Sequence, residues 1–233
     1  MKAILLVAST LLLFSFEVGK DNKLTKGEKK AGWKLLFDGK TMNGWRTYKD
    51  KPGNSWEVAN GEMHCKGSVV DKSDKRADLI SLDMFENFEL SIDWKIAKTG
   101  NSGIMYHVRE AEDAAYLTGP EYQLIDDEGF PEKLEDWQKT GTDYAMYTTT
   151  SRPVNPVGTY NNTKIIFKNG HVEHWLNGVK VVEFEAWSDD WNKRKANGKW
   201  KNASNYGKFK SGYICLQDHG SEIWFKNIKI KPL

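Results

Sequence analysis

The sequence predicts an all-β fold of two packed antiparallel sheets, on three observations. Short segments alternate apolar and polar residues with a period of two, as strands with one buried and one wetted face do. Asn60-Gly61, Asn169-Gly170 and Asn177-Gly178 separate such segments, and Asn-Gly supplies the two left-handed residues of a tight hairpin turn. Ten Trp, nine Tyr and ten Phe make 12% of the 233 residues aromatic, a composition that fits pleated surfaces and short strands.

In chain order, residues 1–18 begin with Lys2 and carry an apolar run of about 13 residues, signal-peptide length and short of the roughly 20 that a spanning helix needs. Export to the periplasm or beyond is expected, with an uncleaved N-terminal anchor as the alternative and no other membrane contact. Residues 19–31 are charged, have no apolar periodicity and read as a tether. A single domain is expected over 32–233. Residues 33–45 hold an entry strand, then Asp38-Gly39 and Asn43-Gly44 turn signals. The runs at 56–58 and 62–65 flank Asn60-Gly61 as a hairpin, and 78–82 is a further short strand. Residues 88–96 set Phe88, Leu90, Ile92, Trp94 and Ile96 against Glu89, Ser91, Asp93 and Lys95.

Residues 101–109 and 121–126 follow as strands, joined by a loop that ends in Gly119-Pro120. Residues 128–142 are polar, a loop or short helix, and extended character resumes at Tyr144. Residues 163–168, 172–176 and 179–184 form a meander with two Asn-Gly turns. A short helix is expected near 189–195, and strands at 213–217 and 222–230 close the chain. About twelve strands with almost no helix imply the two sheets. Cys65 and Cys215 read as free, partly buried thiols, because an isolated cysteine behaves as a small core hydrophobe.

A formal charge of +2 gives no footprint for nucleic acid. Lys193, Arg194, Lys195, Lys199 and Lys201 cluster, but Asp189 and Asp190 adjoin them, which suits a solvated loop.

The candidate chemistry lies on 119–127, GPEYQLIDD, and its neighbour 101–110, NSGIMYHVRE. Strand parity puts Glu121, Gln123, Ile125 and Asp127 on one face, while Met105, His107 and Arg109 share one face of the neighbour. Acid, amide, imidazole and guanidinium then meet on one sheet surface. In the closing LQDHG, Gln217 and His219 join that surface if the strand continues; if it turns at Asp218, they need not.

FDGKTMNGW, NSGIMYHV, GPEYQLIDD, HWLNGVKV and LQDHGSEIWFKNIKI, in that order, resemble the bacterial 3-keto-disaccharide hydrolase family across 32–233. The chain departs from that pattern at Tyr160-Asn161-Asn162, where a Trp-Asn pair is common, and at Lys226, where Arg is. The resemblance implies a concanavalin A-like jelly-roll sandwich and cleavage of a glycoside whose sugar is oxidised at carbon 3. Such a ketone acidifies the hydrogen on carbon 2, so a base can remove it and the enolate can expel the glycosidic oxygen. That chemistry needs a base, donors for the enolate oxygen and an acid for the leaving group. His107 is expected as base, Arg109 as oxyanion partner and Glu121 as base or acid, with Gln123, Asp127, Tyr144, Gln217 and His219 contacting a small oligosaccharide or glycoside. Each could instead be structural: His107 a satisfied core histidine, Arg109 a counter-ion. A divalent ion would suit the same oxygen and nitrogen donors, although no spacing demands one. Two rival readings stay open, a retaining glucanase, which needs two carboxylates about 5 Å apart, and a non-catalytic carbohydrate-binding module.

Overall fold

The computed structural model describes residues 21–68 and 75–233; the export signal expected over 1–18 lies outside the described residues. In chain order the strands are β1 Lys34–Leu35, β2 Trp45–Thr47, β3 Trp56–Ala59, β4 Glu62–Cys65, β5 Leu79–Phe85, β6 Phe88–Ile96, β7 Asn101–Val108, β8 Glu121–Ile125, β9 Asn161–Lys168, β10 His171–Leu176, β11 Val179–Glu185, β12 Gly212–Leu216 and β13 Ile223–Pro232. Among the described residues two short α-helices, α1 Lys26–Lys30 and α2 Asp189–Asn197, and three single 3-10 turns accompany them.

These strands form a jelly-roll sandwich of two antiparallel sheets. One has eight strands in the order β11-β10-β9-β6-β13-β4-β3, with β1 added at β13; the other has five, β2-β5-β12-β7-β8. Each Asn-Gly turn is built as its sequence requires: φ is positive at both residues in Asn60-Gly61, Asn169-Gly170 and Asn177-Gly178, the backbone of the tight hairpin turn.

Between the sheets lies one apolar core. β6 supplies Phe88, Leu90, Ile92, Trp94 and Ile96, all buried, and the facing sheet answers with Ile104, Tyr106, Tyr122, Leu124, Ile214 and Leu216. The Trp94 indole N–H donates to Thr163 Oγ1 at 2.9 Å, so the largest side chain here brings no unpaired donor inside. Cys65 and Cys215 are free, as read from the sequence, and buried fully rather than in part. On the far side of the five-stranded sheet a smaller cluster, Tyr48, Ile80, Met105, Val108, Ala115 and Cys215, floors the surface on which the site is built.

The charged stretch 19–31 is no loose tether from Asp21 onward. Thr25 caps α1 with its hydroxyl on the Glu28 N–H, and the Glu28 side chain returns to the Thr25 N–H. Asn22 is buried and exchanges hydrogen bonds with Asn227, Asp21 pairs with Lys226, and Glu28 pairs with Lys229. These contacts are polar and set by tertiary partners some 200 residues away, so apolar periodicity could not announce them.

Candidate active site

β7 and β8 pair antiparallel with Gly103 opposite Gln123 and Met105 opposite Glu121. Alternation therefore turns Glu121 and Gln123 outward beside Asn101 and Gly103, while Tyr122 and Leu124 enter the core. Gln123 Nε2 donates to Asn101 Oδ1 at 2.9 Å, and the Asn101 amide reaches His219 Nε2 at 3.4 Å. From the next strand, the Gln217 N–H donates to the Gly103 carbonyl at 2.9 Å, which carries the pairing of β12 with β7 one residue past Leu216. The chain then turns: Asp218 Oδ1 accepts the Gly220 N–H at 3.0 Å, and His219 projects into the same cavity. Strand parity and turn chemistry both apply here, the first to Gln217 and the second to His219.

The wall comes from loops. Tyr144 N–H donates to the Glu121 carbonyl at 2.9 Å, and the Trp200 indole N–H donates to the Tyr144 carbonyl at 3.1 Å. Trp200 stacks on buried Tyr206 at 4.3 Å between centroids, which fixes its plane. The Lys199 ammonium lies 4.3 Å from the Tyr144 ring centroid and 5.1 Å from that of Trp200. With Tyr116 these groups enclose about 310 Å³, lined by Asn101, Tyr116, Glu121, Gln123, Tyr144, Lys199, Trp200, Gln217 and His219. The size suits one sugar ring and its linkage; the aromatic wall can lie along a ring face and the amides can meet hydroxyls.

Glu121 is the one carboxylate among the residues that line this pocket. Only 4% of it is exposed, and burial pushes its carboxyl up to about 8, against the pull of Lys199 and with a further push from Asp78 and Asp143. Its space exists because residue 103 is glycine: a Cβ there would stand 2.0 Å from Glu121 Oε1 and 2.7 Å from Cδ. Behind it, fully buried Asp143 has neither carboxylate oxygen hydrogen-bonded among the described residues, and burial raises its pKa well above the ordinary carboxylate value.

Five of the expected residues, Glu121, Gln123, Tyr144, Gln217 and His219, meet in this pocket; His107, Arg109 and Asp127 do not. His107 has a left-handed φ of 53°, and β7 carries one extra residue there, since Tyr213 faces Val108 while Cys215 faces Met105. This bulge hands the outward position to Val108 and turns His107 inward, where its ring sits 4.2 Å from that of Phe167 and Nε2 donates to the Glu86 carbonyl at 2.8 Å. Burial lowers it to about 4, so it is a neutral core histidine. Arg109 lies beyond the bulge, its guanidinium 5.5 Å from the Phe209 centroid and 3.4 Å from the Ser211 carbonyl. Asp127 accepts the Thr140 N–H at 2.8 Å and borders a separate cavity with Trp94, Lys139 and Arg152.

Four pocket residues were absent from the sequence expectation. Asn101 shares the parity of Met105 and was reachable by running the alternation four residues back. Tyr116, Lys199 and Trp200 sit on loops without periodicity, and Lys199 belongs to the basic cluster read as a solvated loop. As metal donors, the pocket offers Glu121, His219 and three amide oxygens, but Lys199 already places a positive charge over them. Among the described residues, one group of His, Cys, Asp or Glu brings three ligand atoms within 4.8 Å of one another, His171, Glu173 and Glu183 on the other sheet. Lys180 bridges both of its glutamates.

Residues 32–231 match the family described as the 3-keto-alpha-glucoside-1,2-lyase-like domain. The chain is 33% identical over 228 residues to a 3-keto-disaccharide hydrolase of Bacteroides thetaiotaomicron, covering 87% of this chain and 79% of the relative. A crystal structure from Parabacteroides distasonis, assigned to the glycosyl hydrolases, superposes with a TM-score of 0.86 at 44% identity, over 92% of this chain and 100% of that one. A second from the same organism and with the same assignment gives 0.67 at 26%, over 86% and 99%. With residues 32–231 matched and 79% of the relative's length covered, the chain belongs to the 3-keto-alpha-glucoside-1,2-lyase-like domain family.

Proposed function

We propose that the pocket cleaves 3-keto-glycosides, with Glu121 as proton donor to the glycosidic oxygen, His219 as base at carbon 2 and Lys199 as partner of the enolate oxygen. The observation that carries this reading is Glu121, a carboxyl buried in an open pocket and held protonated up to about pH 8. A neutral acid at physiological pH is what the leaving oxygen needs.

In the first half-reaction the C2–H bond breaks and its proton passes to the His219 imidazole. The electron pair forms the enolate, whose oxygen Lys199 and the amides of Gln123 and Gln217 receive. The enolate then expels the C1 oxygen, which takes the proton of Glu121 and leaves as an alcohol. A C1=C2 enone remains. Water adds to C1 in the second half, its proton going to the Glu121 carboxylate while imidazolium returns a proton to C2. Both groups are restored, and the net reaction is hydrolysis. Lys199 takes the role that the sequence had offered to Arg109, and His219 that of His107.

A retaining glucanase would need two carboxylates about 5 Å apart, and Glu121 is the one carboxylate among the residues that line this cavity. The test is product analysis on a 3-keto-glucoside and its parent glucoside. Cleavage of the keto sugar alone is expected; cleavage of both at equal rates, or of neither with binding intact, overturns the reading in favour of a glucanase or a binding module. Export belongs with this proposal, and fractionation of cells with and without residues 1–18 checks it.

A further inference from the structure

We propose that Asp78 and Arg76 are positioning residues that grip Asp218 and thereby set the turn carrying Gln217 and His219 into the pocket. The proposal rests on the pocket being catalytic, as read above. Asp78 lies just before β5, outside the residues that line the cavity, yet its Oδ1 accepts the Asp218 N–H at 2.8 Å. The Asp218 carboxylate, whose side chain is 0% exposed, accepts Arg76 Nε at 2.7 Å and the Ala77 N–H at 3.3 Å. Arg76 in turn donates to the Lys66 carbonyl. One residue of the turn is thus held through both its backbone and its side chain by a segment that belongs to neither β12 nor β13.

The neighbouring contacts show what this grip controls. Gln217 is tied to β7 on the other side, its N–H to the Gly103 carbonyl at 2.9 Å and its carbonyl to Ser102 Oγ at 2.8 Å. Its side-chain oxygen is buried with no donor among the described residues, and the residue lines the cavity. His219 follows Asp218 directly, and among the described residues its one side-chain hydrogen bond is the 3.4 Å contact with Asn101. Asp218 therefore stands between the two groups that meet substrate, and its clamp replaces the strand pairing that ended at Gln217. A buried ion pair adds little net stability over an apolar pair; what it adds here is a fixed direction for two side chains. Displacement by about 1 Å in such a frame costs roughly 100-fold in rate.

The experiment compares Asp78→Asn, which keeps an acceptor oxygen of the same shape, with Asp78→Val, which removes it. On a 3-keto-glucoside, Asp78→Val is expected to lower kcat/KM by about 30-fold and Asp78→Asn by less than about threefold. In sugar-free protein, the Asp218 and His219 amide resonances are expected to shift in Asp78→Val and not in Asp78→Asn, while those of β9 to β11 stay in place in both. Equal kinetics in the two variants, or unmoved Asp218 and His219 resonances in Asp78→Val, overturns the proposal. Should Asp78→Val fail to fold, Arg76→Met, which removes the charge that grips Asp218, is expected to lower kcat/KM by about 30-fold and to shift the Asp218 and His219 amide resonances, and either one left at its wild-type value overturns the proposal. Wild type inactive on every 3-keto-glycoside would defeat the functional reading, and the resonances would still judge the clamp.

Discussion

Asn101 and His107 lie on one strand with the same parity, and they end on opposite sides of the sheet. Up to Met105 the alternation of β7 holds, and Asn101 and Gly103 face the pocket. Beyond the extra residue at His107 it is inverted: the imidazole enters the core and Val108 joins the outward cluster. The two halves show that polar character along a strand does not by itself mark a site. At Asn101 the polar group meets other side chains over a cavity, and at His107 it satisfies the Glu86 carbonyl. A bulge is invisible to periodicity, because the inserted residue needs only to tolerate a left-handed backbone, which residues other than glycine do at modest cost.

The contrast is sharpened most by Glu121, on the pocket side. Replacement by Gln keeps the shape and removes the proposed proton donor, and kcat on a 3-keto-glucoside is expected to fall by about 100-fold or more. The same change should stabilise the fold at alkaline pH. The folded carboxyl titrates at about 8 and the unfolded one near 4.5, so between those values the folded state binds more protons and stability falls as pH rises, by up to about 1.4 kcal/mol per pH unit. Denaturation of Glu121→Gln and wild type should diverge steadily from pH 5 to pH 8, the variant becoming the more stable. For the same reason the alkaline limb of kcat/KM is expected near pH 8 in wild type.

Gly103→Ala probes the same half of the strand from the backbone side. The glycine φ is not in the left-handed region, so alanine brings no conformational strain of its own; its Cβ meets the Glu121 carboxyl at 2.0 Å. A loss of about 10- to 100-fold in turnover is expected, with a stability cost of about 1–3 kcal/mol from overpacking. Wild-type turnover in Gly103→Ala would show that Glu121 does not work from the position described.

Much of the fold and part of the site were legible in the sequence, for physical reasons that also mark the limit. β6 was read with its observed ends, 88–96, because five buried residues alternate without interruption. The three Asn-Gly hairpins were legible because the turn demands two positive φ angles. Glu121 and Gln123 were legible because two polar side chains on a fully buried strand break its pattern. Lys199 and Trp200 were not: they arrive on the segment after α2, placed by a hydrogen bond to Tyr144 and a stack on Tyr206. Those contacts are tertiary, and no local spacing encodes them. Asp78 and Arg76 were silent likewise, since their partner Asp218 is about 140 residues away.

On the other side of the bulge, His107→Leu should separate stability from activity. The leucine fills the space among Phe88, Tyr106 and Phe167 but leaves the Glu86 carbonyl without its donor, an expected loss of about 1–3 kcal/mol. Turnover should stay within about threefold of wild type, since the residue touches nothing in the pocket. The pH dependence runs opposite to that of Glu121. His107 is held down to about 4 from an ordinary 6.5, so the unfolded chain binds the extra proton and stability is lost as pH falls through that window. The stability difference between wild type and His107→Leu should therefore shrink from pH 7 toward pH 4, and a constant difference would mean that the ring is not buried as a neutral base.

The smallest effect is expected at Asp127, on the same strand extension as Glu121 and in a different environment. The residue sits six positions past Glu121, beyond the end of β8, and its carboxylate is occupied by the Thr140 N–H at 2.8 Å. It borders the cavity shared with Trp94, Lys139 and Arg152, not the pocket shared with Lys199 and His219. Asparagine at 127 keeps the acceptor oxygen for Thr140 and removes a charge whose pKa burial already raises. Turnover on a 3-keto-glucoside is thus expected within about twofold of wild type, and stability within about 0.5 kcal/mol, because neither the hydrogen bond nor the catalytic group is lost. A tenfold fall in kcat/KM for Asp127→Asn, with melting unchanged, would mean that substrate reaches across the end of β8 into the second cavity, and the binding surface would then have to be drawn to include both.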